Sequence, residues 1–212
     1  MIKFNFSKNL FSKIKAIFSK SEFPETPNAI DRLQERTILR FIPYWIKPNH
    51  LTLFRYFSIP FILFLLLYEY YSPALILFVI SVYTDALDGA MARTRKQITD
   101  WGKINDPMAD KALIALAGAF LITRHISFGM LLAIIAVELI IISSAVYRNY
   151  GKTKVPSAKL AGKIKMVFQS SALILLLLFS VFSLSIILII AQAFLYLAIF
   201  LGLTSAFVYG SL

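Results

Sequence analysis

The sequence predicts an all-α integral membrane protein, with six transmembrane helices preceded by basic amphipathic N-terminal helices. Three observations predict it. The 212 residues are 58% hydrophobic, with a mean hydropathy of +0.74, against roughly 45–50% apolar in a soluble domain. The apolar residues fall in long, nearly uncharged runs. The 22 Lys and Arg residues sit between those runs in a one-sided pattern. The chain divides at 47/48 into a juxtamembrane segment (1–47) and a membrane domain (48–212). Cysteine is absent, which excludes disulfides, zinc–thiolate sites and thiol nucleophiles.

In residues 1–20, lysines at 3, 8, 13, 15 and 20 break every apolar stretch, so the unbroken core of a signal peptide is missing. Leu10, Phe11, Ile14, Ile17 and Phe18 recur at helical spacing. A short basic helix on anionic lipid fits, and so does a disordered stretch. Residues 21–29 read as a linker. Residues 28–42 read as a second amphipathic helix, capped by Asn28, with Ile30, Leu33, Ile38 and Phe41 on one face. Pro43 and Pro48 interrupt the chain beyond it.

Six apolar segments come next, at 50–70, 73–92, 106–123, 127–147, 164–182 and 184–209. Each is near the ~20 residues that cross a bilayer. The breaks fall at Tyr71-Ser72-Pro73, Arg124-His125, Gly151 to Gly162, and Ser183-Leu184-Ser185. Residues 171–209 carry no charge. As one helix they would run about 58 Å at roughly 1.5 Å per residue, so two crossings are predicted.

With the N-terminus inside, the inner segments 1–55, 93–111 and 148–165 hold 10, 5 and 6 Lys/Arg, leaving only Arg124 outside. The positive-inside rule then accounts for the net charge of +11 without nucleic acid. It also predicts a cytoplasmic N-terminus in a cell's inner membrane. Trp45 and Trp101 fit an interfacial aromatic belt, and neither histidine is assigned a role.

Acidic residues in a membrane span are costly and usually functional. Asp85 and Asp88 are three apart, and Asp106 and Asp110 are four apart, so each pair shares a helix face. A short basic loop joins the two helices, so the pairs can meet at one depth. Four carboxylates that close either hold protons or gather cations. Four negative charges match two divalent ions. All-oxygen ligation favours Mg²⁺, Mn²⁺ or Ca²⁺, and paired ions suit phosphoryl displacement. Polar residues that merely join helices are the plainer reading. Gly89 and Gly102 permit close approach of a ligand or of a neighbouring helix. A divalent-cation transporter would also bury acids, yet Arg93, Arg95 and Lys96 beside them suit phosphate better than a conducted cation.

The spacing Asp85-x2-Asp88-Gly89-x2-Ala92-Arg93-x8-Gly102-x3-Asp106-x3-Asp110 resembles the signature of the CDP-alcohol phosphotransferase family. That resemblance implies that Asp85, Asp88, Asp106 and Asp110 hold two divalent cations, Mg²⁺ or Mn²⁺, with Asp110 also the general base. It implies CDP-lipid contacts by Gly89, Arg93 and Thr99. The stretch Pro48-Asn49-His50-Leu51-Thr52, followed by Arg55, adds Asn49 and Thr52. It further implies a homodimer, with CDP-diacylglycerol and a small alcohol as substrates. Residues 48–55, 102–111 and 159–169 look most like the branch that uses sn-glycerol 3-phosphate and makes phosphatidylglycerophosphate. Val137 before Glu138 and Met166 depart from that branch, which leaves inositol phosphate, serine or another alcohol open as acceptor. Among the basic residues of the inner loop (Arg148, Lys152, Lys154, Lys159, Lys163, Lys165), Arg148 and Lys163 are the candidate acceptor-phosphate contacts. Glu138 reads either as the partner of Arg148 or another cation, or as a catalytic acid.

Overall fold

The computed structural model describes residues 29–40, 42–151 and 158–208. Among these, seven helices follow one another with no strand. They are α1 (Ala29–Thr37), α2 (Pro48–Leu67), α3 (Tyr71–Thr94), α4 (Asp100–His125), α5 (Phe128–Gly151), α6 (Ala158–Phe182) and α7 (Ser185–Val208). The expected amphipathic helix over residues 1–20 lies outside the described residues, as do residues 152–157.

Four helices are long and apolar enough to cross a membrane: Pro48–Leu67, Tyr71–Thr94, Ile164–Phe182 and Ser185–Ala206. Phe128–Ser144 is apolar but shorter within the described residues. The 26-residue α4 differs because Asp106, Asp110 and Lys111 interrupt its apolar run.

Several boundaries differ from the sequence reading, for local reasons. The second N-terminal helix stops at Thr37 and does not reach 42. The amides of Ile38 and Leu39 both bond the Gln34 carbonyl, closing the helix in a turn. Pro48 is the first residue of α2, where its missing N–H costs nothing. The first break between spans lies at Tyr68–Tyr70, ahead of Tyr71-Ser72-Pro73. Glu69 takes a positive φ of 60°, and the Tyr70 amide reaches back to the Leu65 carbonyl, a common way to end a helix. Pro73 then falls in the first turn of α3, where proline is tolerated. α4 runs through Arg124 and His125, and Ser127 caps α5 by accepting from the Met130 amide at 3.1 Å. The break inside the uncharged stretch is real: Ser183 has φ 56° and ends α6, and α7 starts at Ser185.

The described residues group into two compact units, within Met1–Phe57 with Ile80–Lys111, and within Ser58–Val79 with Ala112–Leu212. In the first, Leu39, Leu87, Ala90 and Met91 form a buried cluster, with Ile42, Ile46 and Leu51 packed against it. Arg95 secures this corner. Its guanidinium donates to the carbonyls of Leu39 (2.9 Å), Ile42 (2.7 Å) and Pro43 (3.4 Å) and lies 4.6 Å from the Tyr44 ring centroid.

In the second unit, α7 packs on α6 and α5. Its two acids, Glu69 and Glu138, are both paired. Buried Lys165 donates to Glu138, so the partner of Glu138 is Lys165, one of the two alternatives the sequence left open. Arg124 pairs with Glu69 on the surface. The His125 ring is 2.8 Å from the Ser180 hydroxyl and packs edge-on against Phe179.

Replacing Arg95 with Ala removes three charged donors from the 39–43 turn. It should lower stability by about 1–3 kcal/mol and speed protease cleavage between residues 39 and 47. Thermal unfolding in detergent, with Arg95→Lys as the control for charge, measures both the loss and the need for the planar fork.

Candidate active site

Three helix segments of the first unit supply the site: the start of α2, the end of α3 and the start of α4. Spacing on α3 puts Asp85 and Asp88 on one face. From α2, Arg55 reaches both. Its Nη1 lies 3.0 Å from Asp85 Oδ1 and its Nη2 lies 2.8 Å from Asp88 Oδ2. The same Nη1 also donates to the Asp106 main-chain carbonyl at 3.4 Å. Arg55 is 0% exposed and Asp88 2%, whereas the Asp85 side chain is 44% exposed.

Asp106 is held from α2 as well, by a short hydrogen bond from the Thr52 hydroxyl. Thr52 is fully buried one turn before Arg55. The Tyr56 hydroxyl donates to the neighbouring Asn105 carbonyl. Asp110 lies one turn beyond Asp106 and is 6% exposed. Asp85 is within electrostatic reach of Asp88, Asp106 and Asp110. The four aspartates predicted from spacing therefore gather around a single guanidinium.

A second group adjoins them. Lys96, with φ 54°, ends α3, and the Gln97 amide returns to the Ala92 carbonyl. The chain then re-enters a helix at Thr99. The Thr99 hydroxyl accepts from the Gly102 amide at 3.0 Å, capping α4, and donates to Asn49 Oδ1 at 2.9 Å. Gly102 is buried against all of them. A Cβ there would sit 3.1 Å from Thr99 Oγ1, 3.3 Å from Asn49 Oδ1 and 3.3 Å from Asp106 Oδ2. Gly89 has the matching role for Arg93, whose Nη1 would lie 3.3 Å from a Cβ at 89.

Asn49, Thr52, Gly89, Arg93 and Thr99 thus lie on the same three segments as the aspartates. Arg148 and Lys163 belong to α5 and α6, but their side chains lie outside the described residues. Arg55 is the residue at the centre of this group to which the sequence reading, though noting it after Thr52, assigned no role. The signal that could have found it is its spacing: it follows Thr52 by three and Asn49 by six, which places a fixed cation on the Thr52 face of α2.

The carboxylates are not arranged as a ready cage. Among the described residues, no three Asp, Glu or His side chains stand as a metal-binding group, because Arg55 takes up the face that Asp85 and Asp88 share. The donor chemistry nevertheless fits divalent cations. Four carboxylates lie close together at a largely buried place, with Arg55 bridging two of them, and acids so crowded favour cations among them. Oxygen donors of this kind suit hard cations.

The comparisons with known proteins agree with this geometry. Residues 45–204 match the family described as CDP-alcohol phosphatidyltransferase. The chain belongs to the CDP-alcohol phosphatidyltransferase family. Its relatives include two proteins named CDP-diacylglycerol--glycerol-3-phosphate 3-phosphatidyltransferase. The one from Rickettsia typhi is 34% identical over 168 residues, covering 76% of this chain and 93% of the relative. The one from Yersinia pestis strain Pestoides F is 36% identical over 137 residues, covering 61% of this chain and 75% of the relative. The matched region contains the aspartates, Arg55 and the Thr99 cap.

In a phosphatidyltransferase of this build, Gly102→Ala should disturb Thr99, Asn49 and Asp106 together. Overpacking by one methyl typically costs ~1–3 kcal/mol, so phosphatidyl transfer should fall by about tenfold or more while the protein still extracts as a folded species. Initial rates and a thermal melt on the same preparation check both halves.

Proposed function

We propose that the protein transfers the phosphatidyl group of CDP-diacylglycerol to sn-glycerol 3-phosphate, giving phosphatidylglycerophosphate and CMP. The observation that carries this reading is the gathering of Asp85, Asp88, Asp106 and Asp110 around Arg55, beside the Asn49–Thr99–Gly102 group. The names of the relatives supply the acceptor.

Asp85, Asp88, Asp106 and Asp110 would hold two divalent cations, Mg²⁺ or Mn²⁺, which when bound offset negative charge on the phosphoryl oxygens. Arg93, folded over Gly89, offers a planar fork to phosphate oxygens. Asn49 and Thr99 orient the cytidine diphosphate part of the donor, and Thr52 holds Asp106 in place. The acceptor hydroxyl oxygen attacks the lipid-side phosphorus, and the bond from that phosphorus to the bridging oxygen breaks. CMP departs with the bonding electrons, and the hydroxyl proton passes to the Asp110 carboxylate. Arg148 and Lys163 receive the phosphate of the acceptor.

The setting is a membrane domain of six crossings, residues 48–212, after a juxtamembrane segment 1–47. The N-terminus and the site face the cytoplasm, as the distribution of Lys and Arg favours, and the protein works as a homodimer. α4, though too charged to resemble an ordinary span, crosses over residues 106–123, with its aspartates at the inner edge.

Two measurements test this function. Asp110→Asn should lower turnover by about 10²–10⁴ while CDP-diacylglycerol binding persists; near-normal turnover would remove Asp110 from the base role. Radiolabelled glycerol 3-phosphate, inositol 1-phosphate, serine and inositol are offered separately with CDP-diacylglycerol and Mg²⁺ in detergent. Only glycerol 3-phosphate should yield lipid-soluble label with CMP release. Label from another acceptor would replace the assignment, and Mg²⁺ flux without CMP release would replace the enzyme with a transporter.

A further inference from the structure

Arg55 invites a question that phosphatidyl transfer leaves open. It is the largest side chain with no exposure at all, and it lies on a helix outside the aspartate signature. Its terminal nitrogens meet one oxygen each of Asp85 and Asp88, 3.0 and 2.8 Å away. An arginine stays charged under all working conditions. A fixed positive charge therefore stands beside two of the carboxylates proposed to bind cations. Such a charge does two opposing things. It neutralises buried Asp88 when no ion is bound, and it repels any ion that arrives.

We propose that Arg55 is a positioning residue that acts as the internal counter-cation of the site, holding Asp85 and Asp88 together before divalent ions bind and weakening their grip on those ions. The inference rests on the reading of the aspartates as a divalent-cation site. Weakened grip would have a chemical use: ions held less tightly by the protein would leave more of their charge for the diphosphate of the donor.

Two readouts should move in opposite directions, which a purely structural arginine would not produce. Removing the charge leaves Asp85 and Asp88 uncompensated, so the metal-free protein loses stability. The same removal makes the site more negative, so cations bind more tightly. Thermal unfolding of the full chain in detergent, titrated with Mg²⁺ after chelator treatment, reads both. For Arg55→Gln the metal-free Tm should fall, and the Mg²⁺ concentration giving half of the stabilisation should drop by about fivefold or more. Arg55→Lys keeps the charge without the fork and should stay within about twofold of the wild-type midpoint.

An Arg55→Gln midpoint equal to or above wild type overturns the proposal, and so does an equal drop in Arg55→Lys. If Arg55→Gln unfolds without metal yet folds on adding Mg²⁺, while Arg55→Lys needs none, the proposal stands. A variant that stays unfolded at every Mg²⁺ concentration overturns it, because added cations would then be unable to replace the guanidinium. CMP release by the wild type, measured alongside, keeps the two readings apart. Its absence defeats phosphatidyl transfer, whereas the Mg²⁺ midpoints alone decide the role of Arg55.

Discussion

Asp88 and Asp110 are carboxylates almost without solvent, and Asp85 and Asp106 complete a group of four around one guanidinium. Removing a charge from water costs several kcal/mol after relaxation, so the segments that carry this group are held to one arrangement. Arg55 must come from α2 and Asp85 and Asp88 from the end of α3, while the Asp106 carbonyl and carboxylate must meet Arg55 and Thr52 from α4. Three chain segments are therefore held at one place by charge, with Leu87, Ala90 and Met91 providing the apolar packing on the other side of α3.

The joint between α3 and α4 is short, and its two ends are set by Lys96 and Thr99. Lys96 turns the chain through a left-handed residue. Thr99 caps the next helix and at the same time fixes Asn49. Gly102 has no side chain because the space of its Cβ is already bounded by three oxygen atoms. Arg95 secures the turn before α2 through carbonyls of Leu39, Ile42 and Pro43. The segment ahead of the first long helix is thus tied to the helix that carries the first two aspartates. Structural caps and site residues are thus coupled at Gly102.

The second unit handles charge differently. Glu138 is matched by Lys165 and Glu69 by Arg124, each acid meeting one base. In the site four acids lie together, two of them sharing Arg55 and one within electrostatic reach of Lys111. This crowding of acids sets the site apart from the one-to-one pairs of the second unit. It also explains why α4 fails the test for an apolar span: the residues that make it useful are those that make it polar.

The sequence by itself determined the all-helical class, the apolar runs, four of which form helices long enough to cross a membrane, and the four aspartates with their glycines. These depend on local periodicity and on fixed spacing within a helix, which a linear chain displays. It also located the break within residues 171–209 from length alone. The helix ends were less legible, at Thr37 and at Tyr68–Tyr70, because single carbonyls and left-handed residues such as Glu69 set them. Only the tertiary structure decided that Lys165 partners Glu138, that Thr99 and Asn49 bond each other, and that Arg55 bridges Asp85 and Asp88. Those pairings join residues 27 to 50 positions apart. Side chains so distant meet only when packing brings their helices together, and no periodicity records which partner each will find.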